Sequence, residues 1–379
     1  GIPSNSSINC FYIKSNRLYT GTTTGLYYST NEGNTWNAIN NGLPTNGYIN
    51  TVTSLDSVLY VGIQNASTAN GLYRSTNNGE GWILANNGIP PSNEIYKLVS
   101  IGQDIYVVGS SFKVYKTTNN GENWIAANNG LSGIVRTLSG SSNGYLYAGT
   151  SGNYVYVSAN NGLTWTQSII SGGSYVNSLA YNSTTLYMSG YSVNKTTNNG
   201  INWINCNLNY YSVAIITNGE NEVFMGASQS SANGFYMSTN SGINWILKNE
   251  GLSSPSILSL IVFNNYIFAG TTSSGVYRRL LTNILNISTF TNEIPSVYGL
   301  YQNYPNPFNP KTDILFDLPK ESFVKLTVYD ALGKEVTVLV NQNLQAGSYK
   351  ADWNASDYPS GIYFYKLETE QFIETKKMI

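Results

Sequence analysis

Ser29-Thr-Asn-Glu-Gly-Asn-Thr-Trp36 returns in register five more times along the chain. The copies are Ser75-Thr-Asn-Asn-Gly-Glu-Gly-Trp82, Thr117-Thr-Asn-Asn-Gly-Glu-Asn-Trp124, Ser158-Ala-Asn-Asn-Gly-Leu-Thr-Trp165, Thr196-Thr-Asn-Asn-Gly-Ile-Asn-Trp203 and Ser238-Thr-Asn-Ser-Gly-Ile-Asn-Trp245. The Trp-to-Trp steps are 46, 42, 41, 38 and 42 residues, and all but one of the seven Trp residues lie in the motif. A fixed period of this size marks a repeat architecture. Each copy follows two short alternating runs, such as Leu59-Tyr-Val-Gly62 and Gly71-Leu-Tyr-Arg-Ser75, with an apolar run upstream such as Ile49-Asn-Thr-Val-Thr-Ser-Leu55. After the Trp a short run ends in Asn-Gly-Leu-Pro or a relative. Period-2 alternation punctuated by Gly and Asn reads as strands joined by tight turns. Four strands per period of about 42 residues is the pattern of a propeller blade.

Paired strand runs begin near Ile8, Ile49, Glu94, Ile134, Tyr175, Ser212 and Ile257, which makes seven units. The predicted fold is therefore all-β: a seven-bladed β-propeller over residues 1–282, then a second, smaller domain. The seventh unit, Ile257 to Arg279, has three strand runs but neither motif nor Trp. Residues 280–289 are expected to supply its outer strand, unless a strand from another copy does; residues 283–297 thus read as linker or closing strand.

The chemistry of the motif is that of a turn. Its hydroxyl and its Asn (Asn31, Asn77, Asn119, Asn160, Asn198, Asn240) can hydrogen-bond backbone groups across a loop. Its Gly (Gly33, Gly79, Gly121, Gly162, Gly200, Gly242) supplies a positive φ. Its Trp buries a large face between sheets.

The motif resembles the Asp-box, or BNR repeat, of sialidases and related propellers, which forms the turn between the third and fourth strands of a blade. That resemblance implies a structural role at the blade periphery, away from a catalytic face. The family's Asp is Asn in all six copies here, which argues against an acid or metal role for the box.

After Leu281 the repeat stops and charge density rises: the first 283 residues carry 11 basic and 9 acidic side chains, the remaining 96 carry 8 and 11. Alternating runs with Gly and Asp turns between residues 298 and 379 predict a small β-sandwich of immunoglobulin-like type. Tyr304-Pro305-Asn306-Pro307-Phe-Asn-Pro310, the Tyr329-Asp330-Ala-Leu-Gly333 turn, the Gly361-Ile-Tyr363 strand and the Lys376-Lys377 end resemble the type A C-terminal sorting domain of the type IX secretion system. The resemblance implies passage across a Gram-negative outer membrane to the surface or the medium, with the secretion machinery as a partner. No leader opens the chain at Gly1, so export predicts one already removed.

Composition narrows the function classes. Charged residues are only 10% of the chain and net charge is −1, which gives nucleic acid or an anionic membrane nothing to attract. No apolar run is long enough to cross a membrane as a helix. There is no His, the commonest general base and metal ligand, and no metal or cofactor is expected. Cys10 and Cys206 read as two buried thiols, with a bridge as the alternative.

The residues favour a structural, self-assembling or adhesive interaction protein over an enzyme. An almost uncharged Asn- and Tyr-rich surface lets copies approach without repulsion, and an unpaired edge on the seventh unit offers a place to add a strand. A glycan- or protein-binding propeller is the next reading, with 23 Tyr in the repeat region. A sialidase needs an arginine triad, a Tyr/Glu pair and an Asp; the repeat region has Arg17, Arg74, Arg136, Arg278 and Arg279, and Asp56 and Asp104 as its only Asp residues. Arg74 is expected on an outer strand. A xyloglucanase-type hydrolase needs two suitably spaced acids; Asp56 and Asp104 sit at similar offsets but read first as hairpin-turn residues. Asp56-Ser57-Val58 also resembles the short O-glycosylation pattern of bacteria with this export route.

Overall fold

The computed structural model describes residues 1–379 except 65–68, 92, 153, 171–174, 229–233, 254–255, 285–286, 292–293 and 345. The chain divides into two compact units, Gly1–Met237 with Ile243–Arg278, and Arg279–Ile379 with Ser238–Gly242.

The first unit is a succession of antiparallel meanders. Six sheets have four strands in sequence order, and a last one, Ile257–Phe263, Tyr266–Thr271 and Val276–Leu280, has three. The first strands of the sheets are Ile8–Lys14, Tyr48–Leu55, Ile95–Ile101, Val135–Gly140, Ser178–Tyr181, Ser212–Asn218 and Ile257–Phe263. Each packs against the next, and Ile257–Phe263 packs back on Ile8–Lys14, so the ring closes. Most fourth strands are only two residues long, such as Asn37–Ala38 and Ile83–Leu84. Such short edges resist unwanted pairing, but they contribute little stability themselves.

The sequence motif is the turn between third and fourth strands. Its Ser or Thr hydroxyl donates to the Asn Oδ1 at 2.7–3.0 Å in all six copies. The same hydroxyl accepts the Gly N–H at 2.8–3.0 Å. The residue before the Gly has φ of 53–58° and the Gly 73–93°, two successive left-handed residues; only a glycine takes the second of these without strain. Asn31 also donates to Thr35 Oγ1 at 2.9 Å, and Asn160 to Thr164 Oγ1 at 2.8 Å, a donor role closed to a carboxylate.

The sheets are held by contacts between neighbours. Trp82, Trp124 and Trp165 are buried and donate from Nε1 to the carbonyls of Ile39, Ala85 and Ala127, just past the preceding fourth strand, at 2.8–2.9 Å. Trp203 reaches Ser168 Oγ at 2.8 Å and Trp245 the Cys206 carbonyl at 3.2 Å. At four junctions a buried aromatic of a second strand sits beneath the next motif: Phe268 under Gly33, Tyr60 under Gly121, Tyr106 under Gly162, and Tyr147 in donating to Asn199 Oδ1 at 2.8 Å. The second strands also leave a glycine gap for the next sheet: a Cβ on Gly270 would lie 2.4 Å from Ile8 Cγ2.

Between the seventh and first sheets this junction is incomplete. Phe268 lies beneath Gly33, Ser259 Oγ donates to the Ile8 carbonyl at 2.8 Å, and Arg278 donates to the Glu32 carbonyl and, at 2.8 Å, to Asn34 Oδ1. Among the described residues the seventh sheet has no fourth strand. Residues 280–289, expected to provide it, do otherwise: Leu281–Ile284 form one helical turn, and Ile287–Thr291 pair with Gly347–Asn354 in the second unit. A β-prone Ile-Ser-Thr-Phe-Thr segment has completed that sheet instead. Among the described residues no strand pairs with the outer edge of Val276–Leu280, and Trp36, half-buried, has no carbonyl partner for its indole.

The second unit has two four-stranded sheets. In order they are Ile287–Thr291, Gly347–Asn354, Lys311–Leu318, Gly299–Leu300; and Glu335–Leu344, Ser322–Asp330, Tyr363–Glu368, Ile373–Met378. Ile314 and Phe316, Leu326 and Val328, and Tyr365 and Leu367 are buried at alternate positions along three of these strands, as a sheet with one covered face requires.

Trp124→Ala removes a buried ring and its indole hydrogen bond, and is expected to lower stability by about 3–5 kcal/mol. Trp36→Ala, at the incomplete junction, is expected to cost markedly less; urea denaturation of both variants checks the order.

Candidate functional site

Antiparallel meanders gather their loops at two ends. The motif turns and the hairpins between first and second strands share one end; the loops entering each first strand share the other. At that entry end six of the first strands carry a register shift, a bulge of one extra residue: Asn9, Asn50, Tyr96, Arg136, Val213 and Leu258. Asn177 occupies the matching place before Ser178–Tyr181. Bulges re-aim side chains, and all seven residues line a central channel of about 480 Å³.

Three of the seven staple neighbouring sheets. Asn9 Nδ2 donates to the Ile49 carbonyl at 3.2 Å, Asn50 to Ile95 at 3.4 Å and Asn177 to Ser212 at 3.0 Å. Tyr96 and Arg136 break that rule. Tyr96 donates to Glu94 Oε2 at 3.3 Å; burial and Glu94 raise its pKa while Arg136 opposes the shift. The Arg136 guanidinium lies 5.3 Å from the Tyr175 ring centre. Tyr175 is 5.8 Å from Tyr191, and Tyr191 5.2 Å from Tyr211. Tyr175 and Tyr191 remain 41% and 46% exposed.

Deeper in the channel Lys97 faces Cys10. Burial pushes the Cys10 thiol up to about 11 and lowers the pKa of Lys97. Both cysteines are free thiols; Cys206 is buried, and Cys10 is a half-buried lining residue of the channel.

The residues singled out by sequence lie elsewhere. Asp56 and Ser57 are exposed in the two-residue turn at the motif end, Asp56 with φ of 50°. Asp104 is not a turn residue: it begins Asp104–Gly109, pairs with Lys116 at 3.1 Å and accepts from Tyr106 at 3.2 Å. It lines a cleft of about 650 Å³ with no second carboxylate in its wall. Arg74 lies on a third strand, Gly71–Ser75, rather than an outer one, and donates to the Asn120 carbonyl at 2.7 Å. Lys116 does the same to Asn161 at 3.3 Å, so these cations latch neighbouring sheets. Of the sialidase parts, the structure brings together one Tyr/Glu pair and one arginine; Arg17, Arg74, Arg278 and Arg279 are on second and third strands. Among the described residues no three His, Cys, Asp or Glu side chains form a metal-binding group, and no helix is long and apolar enough to cross a membrane.

In the second unit the Tyr304–Pro307 run folds against the chain end: Asn306 Oδ1 accepts the Ile379 N–H at 3.0 Å, and Pro305 O accepts from Thr312 at 2.8 Å. Asp330 Oδ1 accepts from Leu332 and Lys334 at 2.9 Å, closing a turn in which Gly333 has φ of 79° beside Tyr329. Tyr363 packs edge-on to Trp353 at 5.1 Å, after Gly361. Lys376 pairs with Glu374 at 2.9 Å, and the Lys377 carbonyl accepts from Gln302 at 2.8 Å.

Residues 302–379 match the secretion system C-terminal sorting domain, and residues 44–205 match the DUF6242 beta propeller domain. The chain is an exported protein of the cell surface or the medium. Similar folds include YCF48 from Cyanidioschyzon merolae, with TM-score 0.61 and 16% identity over 75% of this chain and 98% of that one. The extracellular domain of BT4673 from B. thetaiotaomicron gives 0.61 and 15% over 84% of this chain and 44% of that one. PorZ of Porphyromonas gingivalis, a surface component of its type-IX secretion system, gives 0.58 and 14% over 98% of this chain and 59% of that one. No curated protein matches the chain. Identity this low carries the propeller fold and nothing more.

One further acid stands out. Glu222 is 2% exposed, its only hydrogen-bond partner among the described residues is Asn218, and burial raises its pKa from 4.5 to about 8. A carboxyl raised in the folded state stabilises fully below its unfolded pKa and loses that contribution as pH rises through the folded value. Glu222→Gln is therefore expected to melt higher than the parent at pH 8–9, with the gap closing towards pH 4.5; thermal scans across that range measure it.

Proposed function

We propose that this is an exported, non-catalytic propeller of seven blades, followed by an immunoglobulin-like sorting sandwich, that works by adhesive or structural interaction. The observation that carries this is the placement of its acids. Hydrolysis of a glycosidic bond needs two carboxylates across one substrate or, in a sialidase, a Tyr/Glu pair with an arginine triad and an Asp. The channel brings Tyr96 and Glu94 together with one arginine, and no Asp lines it. Asp104 is spent on Lys116 and Tyr106, Asp56 is an exposed turn residue, and the channel wall holds Lys97 and Arg136 without a carboxylate. The six turns, with Asn at the Asp position, then act as counterparts of the Asp-box that hold the ring rather than serve a site. A surface role agrees with the description of PorZ.

Self-association is the form of interaction that two features favour. The seventh sheet has an unpaired outer edge among the described residues. The residue after the motif Gly is Asn34, Glu80 and Glu122 in the first three sheets but Leu163, Ile201 and Ile243 in the next three, and these are 66%, 79% and 63% exposed. Aliphatic tips on one arc of a weakly charged rim give copies an apolar surface to share. Glycan binding is the alternative, and Ser57 in its exposed turn is open to O-glycosylation.

Incubated with a panel of neutral and acidic oligosaccharides, the protein is expected to release no product, and Asp104→Asn to lower the melting temperature with no turnover to lose. Measurable hydrolysis abolished by Asp104→Asn would overturn this reading. Light scattering is expected to show association that Ile201→Asp with Ile243→Asp weakens; a strictly monomeric mass at micromolar concentration counts against self-assembly.

A further inference from the structure

We infer that the channel mouth over the fourth to sixth sheets binds an acidic oligosaccharide, Arg136 taking a carboxylate and Tyr175, Tyr191 and Tyr211 presenting ring faces. This names a ligand for the glycan-binding alternative above and rests on that reading.

The repeat supplies the control. At the bulge position Asn9, Asn50 and Asn177 each donate to a carbonyl of the next sheet. Arg136 holds the same place and makes no hydrogen bond or ion pair to any described residue; its guanidinium lies over Tyr175 instead. This exposed arginine meets the next sheet only through the Tyr175 ring, and its N–H donors are taken by no described residue. Lys97, deeper in the channel, likewise has no ion-pair partner among the described residues. Both cations line the channel, and no carboxylate does. Glu94, the acid near the rim, accepts the Tyr96 hydroxyl.

Charge calls for an anion, and the rings narrow its kind. Tyr175, Tyr191 and Tyr211 run in sequence at 5.8 and 5.2 Å from the arginine outwards. Tyrosines offer an apolar face with a polar edge, which suits a sugar ring, apolar on its faces and hydroxylated at its edge. Asn9, Asn50 and Asn177 add amide groups around the channel. Two cations are too few to hold a nucleic-acid backbone. Carboxylate on guanidinium gives a paired, directional contact.

Calorimetry on the full chain tests this with tetragalacturonate and with its carboxyl-reduced tetragalactoside. The acidic tetramer is expected to bind, more weakly as salt rises, and the neutral one to fail. Arg136→Gln is expected to weaken binding roughly tenfold or more, Arg136→Lys to retain part of it, and Tyr191→Ala to weaken it several-fold, all at the parental melting temperature. Arg74→Gln, on the far end, should bind as the parent does. Absence of binding, equal binding of the neutral tetramer, undiminished binding by Arg136→Gln and Tyr191→Ala, or equally tight binding of a hexaglutamate peptide each overturns the proposal. Those outcomes leave a non-catalytic propeller intact, whereas product release from the tetramer would overturn the non-catalytic reading and leave the site standing.

Discussion

The structure depends on the junction between one sheet and the next. Fourth strands of two residues cannot hold a sheet's outer edge by their own ladder. Three contacts do so instead: an indole donating backwards to a carbonyl, an aromatic set under the next turn, and an apolar residue wedged against a glycine. All three run between sheets, so the unit is stable as a ring and its sheets are not stable alone. The left-handed turn is what makes the junction possible. It presents a glycine and a bare carbonyl to the neighbour, and Arg74, Lys116 and Arg278 use that carbonyl as a latch.

The uniform Asn of the turn follows from the same geometry. Its Oδ1 already accepts a hydroxyl and, in most copies, a backbone N–H, which neutral oxygen satisfies. A carboxylate there would add six negative charges around a rim that has few cations to offset them. With Asn, the latching cations go to carbonyls, and the chain keeps a surface of low charge density.

Much of this was legible in the sequence because the repeat is local. The hydroxyl, Asn, Gly and Trp fall within eight residues, so their spacing reports a turn directly, and four strand runs per period report the meander. The sorting domain was legible for the same reason, its Tyr304–Pro307 and Tyr329–Gly333 segments being contiguous. What stayed hidden is non-local. Ile287–Thr291 has strand composition wherever it pairs, and only the open edge of Gly347–Asn354 decides its sheet. Asp104 and Asp56 look alike in offset, yet Lys116, a strand away, takes one and leaves the other exposed. The bulge ring left a trace that alternation does not show: a column reading Asn9, Asn50, Tyr96, Arg136, Asn177, Val213, Leu258, visible only once the sheets are aligned on the residue before it.

That column separates architecture from function. Motif positions repeat because every junction needs them, and a position that repeats is accounted for by the ring. The bulge residues face no neighbour that constrains all seven, so they are where the chain is free to differ. They differ around the ring: amides that brace it from the first, second and fifth sheets, Tyr96 and an arginine beside tilted tyrosines on the third and fourth, and apolar Val213 and Leu258 on the last two. An asymmetric site inside a symmetric ring is what a propeller needs in order to recognise a ligand of definite orientation. At the motif end the latches and the hydroxyl–Asn–Gly bonds repeat, and the freedom lies in the exposed tips, such as the residue after each motif Gly.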